Sequence, residues 1–179
     1  MGGWQALVDE LLRDRGAALV GYAAVLTGDR AGAEDVVHDA VVRTFARPRT
    51  LPSLNAADAY VRRAIASTVV DRARSRRRWL AALPELVAGA SVADDDAAGR
   101  LDARAALRTL PQRQRACVVL RFYDDLTVAE IAATLGISEG AVKRYLSDGI
   151  HHLNELLGTA ADARDGAAAQ VRMTEGGRR

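Results

Sequence analysis

Apolar residues recur along most of this chain every three or four positions, the spacing that gathers them on one side of an α-helix. Leu7, Val8, Leu11 and Leu12 form such a stripe in residues 4–15, and a second short helix is expected over 17–26. The turn Thr27-Gly28-Asp29 closes it, and Asp29 suits the cap of a helix over 30–46 that buries Ala33, Val36, Val37, Ala40, Val41 and Phe45. Pro48 and Pro52 forbid helix between them. A long helix is then expected from Asn55 to Arg78, with Tyr60, Val61, Ile65, Ala66, Val69 and Val70 turned inward. Further on, helices are expected over 101–109, 112–123, 128–135 and 139–157, the second of these opened by Pro111.

The pattern divides the chain. Residues 79–99 combine the apolar run Trp79-Leu80-Ala81-Ala82-Leu83 with Pro84, Gly89, Asp94-Asp95-Asp96 and Gly99, which reads as a flexible linker. Residues 159–179 lack apolar periodicity and are expected to be a disordered tail. The expected fold class is all-α: two small helical domains, 1–78 and 100–158, joined by that linker. Composition agrees. Of 179 residues 49% are hydrophobic but only 4% aromatic, so the cores are built from Ala, Leu and Val, a diet that favours helices over strands. No stretch approaches the roughly 20 apolar residues of a membrane span. The N-terminus has no basic segment followed by an apolar run, and the lone Cys117 excludes an intramolecular disulfide, so a reducing cytoplasm is expected.

Net charge is only +2, yet its distribution is uneven. Residues 1–45 lean acidic through Asp9, Glu10, Asp14, Asp29, Glu34, Asp35 and Asp39, whereas 60–80 lean basic. Two surfaces of opposite sign suggest two kinds of partner. Seven arginines of the long helix, Arg62, Arg63, Arg72, Arg74, Arg76, Arg77 and Arg78, outnumber any nearby carboxylates. Phosphates are their natural counterions. Arg62, Arg63, Ser67, Thr68, Asp71, Arg74 and Arg78 are expected on its outer face; the bland alternative is a solvated charged face.

The sharpest local signal lies at 126–146. Thr127 and Glu130 are spaced as a capping box, Gly136 stands at a turn, and Ser138 is placed to cap the next helix. Ile131 and Leu135 share one face, and Val142, Leu146, Ile150, Leu153 and Leu157 form an inward stripe beyond the turn. Ser138, Glu139, Gly140, Lys143, Arg144, Ser147 and His151 remain outside. Two short helices joined by a three-residue glycine turn, with a polar second helix, is the DNA-reading helix-turn-helix pattern rather than a plain hairpin. Lys143 and Arg144 suit phosphates; Glu139, Gly140 and Ser147 suit base edges.

Together these segments resemble an extracytoplasmic-function sigma factor of the sigma-70 family over about residues 5–157. Ala33-Glu-Asp-Val-Val-His-Asp-Ala-Val-Val-Arg-Thr-Phe45 resembles the family's polymerase-binding helix. Residues 59–78 resemble its promoter-melting and minus-ten helix, and residues 107–123 with the helix-turn-helix resemble its minus-thirty-five domain. The resemblance implies a non-enzymatic factor without cofactor or metal that binds core RNA polymerase, at the beta-prime clamp and beta flap, and promoter DNA. It implies that Glu34, Asp35, His38, Asp39 and Val42 face the clamp. The loop from Pro48 to Ala57 would hold a flipped minus-ten base, with Asn55 as a candidate contact, and Arg62, Arg63, Ser67, Asp71, Arg74, Arg76, Arg77 and Arg78 would serve minus-ten recognition and melting. The acidic linker would run towards the RNA exit path. The apolar patch Trp79, Leu80, Leu83, Leu86 and Val87 suits packing on the first domain or on an anti-sigma factor. Two departures stand out. His38 occupies a position often held by glutamine, and Asp148, Gly149 and Ile150 replace more basic residues, which implies a weaker phosphate grip.

Two other readings compete. A stand-alone helix-turn-helix regulator would share 126–146 but leave the first domain without a role. His38-Asp39 superficially matches metal phosphohydrolases, but His151 and His152 lie in the other domain and cannot complete a site. Cys117 sits on an apolar helix face and reads as structural.

Overall fold

The computed structural model describes residues 3–46, 51–82 and 103–175, which form α-helices with no strand among them. Helices α1 (Gly3–Thr27), α2 (Arg30–Phe45) and α3 (Leu54–Ala82) pack on one another as a first bundle. Helices α4 (Ala103–Thr109), α5 (Gln112–Phe122), α6 (Val128–Leu135) and α7 (Glu139–Glu175) make the second, with α5 and α6 both against α7. One continuous apolar core runs through both bundles, with Leu11, Leu19, Leu26, Val36, Val61, Ile65 and Val69 from the first and Leu110, Leu120, Ile131, Leu135 and Val142 from the second. Burial of aliphatic side chains at about 25 cal/mol per Å² drives both.

The periodicity placed α2, α5, α6 and the start of α7 within a residue or so of their observed bounds. Four expectations change. The two helices expected over 4–26 are one, because Gly16 meets nothing and its cost of about 1 kcal/mol is outweighed by Leu11, Leu19 and Leu26 buried on either side. The inward line there passes through Leu11, which leaves Leu12 exposed. Helix α3 starts at Leu54 because the Ser53 hydroxyl accepts from the Ala56 amide; Asn55 therefore lies inside the helix rather than opening it. Its other end runs on to Ala82, past the expected boundary at 78, and residues 83–99 of the expected linker lie outside those described. Last, α7 continues through 159–175, where a disordered tail was expected. Ala160, Ala161, Ala163, Ala167, Ala168 and Ala169 favour helix in that stretch without any apolar stripe.

The inward stripe of α7 also differs. Val142 and Leu146 are buried as expected, but Ile150 points outward and Gly149 is buried in its place. A Cβ on Gly149 would lie 3.0 Å from Cγ2 of Val118 on α5, so the glycine sets how closely α5 and α7 approach. Its non-basic character thus has a packing cause. Cys117 on α5 is fully buried, and burial pushes its thiol up to about 11. Gly149→Ala is expected to lower stability by about 1–3 kcal/mol through overpacking against Val118, read as a lower urea midpoint at unchanged m-value.

Candidate nucleic-acid interface

The helix-turn-helix is assembled by local bonds. The Thr127 hydroxyl accepts from the Glu130 amide while the Glu130 carboxylate accepts from the Thr127 amide at 2.9 Å, closing the capping box. That backbone hydrogen bond holds the Glu130 carboxyl below its ordinary value. Gly136 ends α6 in the left-handed region at φ +60°, where a side chain would be strained. The Ser138 hydroxyl accepts from the Ala141 amide and starts α7. Ser138, Glu139, Gly140, Lys143, Arg144 and Ser147 are then all exposed on the first turns of α7, the end that enters a major groove in this motif. Tyr145 sits beneath them, half-buried, with Arg113 donating to its hydroxyl at 3.2 Å and the Arg144 guanidinium 5.5 Å from its ring centre.

In the first bundle, Glu34, Asp35, His38 and Val42 are exposed along one side of α2, with Asp39 beside them. Arg72 of α3 reaches across to ion-pair with Asp39 and to donate to the Asp35 carbonyl. Arg72 is therefore neutralised within the fold. Arg63, Arg76, Arg77 and Arg78 are exposed, and Ser67, Asp71 and Arg74 are half-buried. Thr68, expected outside, is buried and accepts from Arg43 at 3.2 Å. Asn55 is exposed, and its side-chain oxygen accepts from Arg15 at 3.3 Å. Residues 47–50 of the loop expected to hold a flipped base lie outside those described.

Arg62 is not a free outward cation. It ion-pairs with Asp58 one turn earlier on α3 at 3.2 Å and with Asp124 of the second bundle at 2.9 Å. Asp124 in turn accepts a 2.7 Å hydrogen bond from the Tyr22 hydroxyl of α1. Burial raises the Asp124 carboxyl, while the Tyr22 hydrogen bond and Arg62 pull it back down. Tyr22 itself is raised well above its ordinary value, by burial first and by the adjacent carboxylate second. Close by, α2, α3 and α6 line an open groove of about 400 Å³ through Arg43, Thr44, Tyr60, Arg63, Ser67 and Thr134, and the Thr44 hydroxyl is buried at its wall without a partner. The sequence reading missed the Tyr22–Asp124 pair and Arg115, whose contacts across the two bundles no local pattern shows. Arg115 alone left a trace, as a cation at the head of the apolar run Ala116-Cys117-Val118-Val119-Leu120.

Both halves of the chain match known proteins. Residues 11–79 match sigma-70 region 2 and residues 100–153 match sigma-70 region 4. The RNA polymerase sigma-E factor of Streptomyces coelicolor is 34% identical over 160 residues, 87% of this chain and 89% of that one. The ECF RNA polymerase sigma factor SigL of Mycobacterium tuberculosis is 32% identical over 147 residues, 79% of this chain and 83% of that one. Among solved structures, the sigma factor RpoE of Bartonella quintana, crystallised with the anti-sigma factor NepR, shares the fold. Its TM-score is 0.59 at 22% identity, over 83% of this chain and 95% of that one. The chain belongs to the sigma-70 family and is a sigma factor of the extracytoplasmic-function type. Sigma factors are transcription initiation subunits of RNA polymerase, not enzymes in their own right. No helix among the described residues is long and apolar enough to cross a membrane.

Lys143→Ala on the exposed first turns of α7 is expected to weaken binding of duplex DNA about equally for all sequences. The slope of log affinity against log salt should flatten by about 1, as for loss of one phosphate contact, in anisotropy titrations from low to moderate salt.

Proposed function

We propose that the chain divides the sigma-factor task among three surfaces. The acidic side of α2, through Glu34, Asp35, His38, Asp39 and Val42, docks on the clamp of core polymerase. The basic side of α3, through Arg63, Ser67, Arg74, Arg76, Arg77 and Arg78, takes the minus-ten strand and opens it. The exposed turns of α7 read the minus-thirty-five element. The observation that carries this reading is the segregation of charge on one rigid bundle: α2 presents carboxylates while α3, joined to it through Arg72, presents a run of exposed guanidiniums. Phosphates neutralise such a run far better than isolated surface carboxylates do. The bundle of α1 to α3 is the minus-ten and polymerase unit and that of α4 to α7 the minus-thirty-five unit. The second unit contacts the polymerase flap, and the factor acts in the cytoplasm, where polymerase is. An anti-sigma factor is the fitting regulator: the groove lined by Gly21, Tyr22, Val25, Leu107 and Phe122, with Phe122 and Tyr123 each 66% exposed, offers it an apolar seat.

In vitro transcription tests the whole. The purified chain with sigma-free core polymerase on a pool of genomic promoter fragments is expected to give discrete starts that vanish without the chain. Duplex binding without chain-dependent starts would favour a stand-alone regulator instead. Within that assay, Arg74→Ala, Arg76→Ala and Arg77→Ala together should weaken open-complex formation at least tenfold and flatten its salt slope by about 3.

Charge reversal at Asp35 and Asp39 should weaken core binding at least tenfold. Circular dichroism is needed beside it, because Asp39 also holds Arg72; unchanged core affinity in a folded variant would remove α2 from the polymerase interface.

A further inference from the structure

The outward face of α7 carries one cationic side chain that the fold itself orders. At 3.6 residues per turn Gly140, Arg144, Ser147 and His151 fall on one line, opposite the buried Val142, Leu146 and Gly149, while Lys143 falls to one side of it. A Cβ on Gly140, one turn before Arg144, would meet nothing within 4 Å, so no contact inside the protein demands a glycine there and the surface beside Arg144 is open. Long cationic side chains on such a face rotate freely as a rule. The Arg144 guanidinium instead lies over the ring of Tyr145, 5.5 Å from its centre. Residues adjacent in a helix do not face one another, so the arginine leans round the helix to make this contact. Tyr145 is itself anchored: it is half-buried, and Arg113 of α5 donates to its hydroxyl at 3.2 Å. That hydrogen bond, and after it Arg144, hold the phenol below its ordinary value against the opposing effect of burial.

We propose that Arg144 reads a base: its planar fork donates to O6 and N7 of a guanine in the major groove, and Tyr145, steadied by Arg113, is the positioning residue that holds the fork ready. Arg144 then has a different task from the phosphate contact that its charge alone suggests. The assignment rests on the reading of α7 as the helix that enters the major groove. Chemistry separates the two tasks. A phosphate needs a positive charge within reach and accepts it from many directions, so a lysine such as Lys143 serves it well. Guanine presents two acceptors side by side on its major-groove edge, and a guanidinium matches them with two parallel N–H groups. That match requires the fork to arrive in a set plane. A freely rotating arginine loses side-chain entropy when a base immobilises it, whereas a stacked one has lost much of it beforehand. Stacking on Tyr145 is therefore of little use to a phosphate contact and of direct use to a two-pronged one. Gly140 completes the arrangement, because a helix without a side chain at that point lies closer to a groove floor and brings Arg144 within reach of the base edge.

The test uses the full chain assembled with core polymerase on promoter duplexes whose minus-thirty-five element is randomised, with the bound fraction sequenced. Wild type is expected to prefer guanine at one or more positions. Arg144→Ala and Arg144→Lys should both lower that preference about tenfold at one of them and leave the others in place. Arg144→Lys keeps the charge, so its affinity should depend on salt as in the wild type. Tyr145→Leu should lower the preference at the same position about threefold with an unchanged salt slope, and Tyr145→Phe, which keeps the ring, should lose less. The Arg144 variants change only an exposed side chain, and they decide the base assignment even if Tyr145→Leu loosens the fold. Arg144→Lys with the wild-type guanine preference, or Arg144→Ala weakened equally on all sequences, would overturn the assignment while leaving α7 as the reading helix. A folded Tyr145→Leu variant with undiminished preference would overturn the positioning role. Wild type without a preference at any position of the element would overturn the reading of α7 itself, and the assignment with it.

Discussion

A buried carboxylate must be paired, and in this chain that requirement governs how the two halves meet. Asp124 is shielded from water by α1, α3 and its own turn, and a carboxylate so placed is costly unless hydrogen bonds and an opposite charge compensate it. Tyr22 and Arg62 supply both, from two different helices of the other bundle. The same logic applies in part to Arg115, whose guanidinium donates through its two terminal nitrogens to the carbonyls of Val25 and Leu110, the first of them across the junction, while its Nε is buried without a partner. Polar groups of this kind contribute little net stability, but they tolerate few alternative arrangements, and so they fix orientation where apolar contact alone would permit sliding.

Such pairing is invisible to a reading of local sequence, and the contrast with the helix-turn-helix explains which parts were legible. Thr127, Glu130, Gly136 and Ser138 act on neighbours three or four residues away, so their roles follow from spacing alone. Tyr22 and Asp124 are 102 positions apart, and nothing in the periodicity of either segment points to the other. Gly149 shows an intermediate case. The stripe of α7 was recognisable, but the choice between Gly149 and Ile150 for the inward position depends on Val118 of α5 and on how near that helix comes. Likewise Thr68 lies inward, where its hydroxyl accepts from Arg43 of α2, a contact that no pattern within α3 reveals. The alanine-rich end of α7 was misjudged for the opposite reason: helix propensity alone extends it, without the apolar face by which helices are recognised.

Within the first bundle, opposite charges are kept on adjacent helices yet joined at one point. Arg72 holds α2 to α3 through Asp39 and the Asp35 carbonyl, while the remaining arginines run on towards the end of α3. The carboxylate surface and the guanidinium surface are thus fixed to the same rigid body, and whatever grips one sets the position of the other. Binding energy gained at the acidic side therefore orients the basic side without any intervening hinge.

Cys117 has a consequence for the signals this factor can receive. It is the only thiol in the chain, it lies wholly inside the second bundle, and its pKa stands near 11, so almost no thiolate exists at neutral pH. Peroxides and disulfides attack thiolates that they can reach, and here they meet neither condition. Cys117 is thereby shielded from oxidants, and an oxidative stimulus does not act on the folded chain through this thiol.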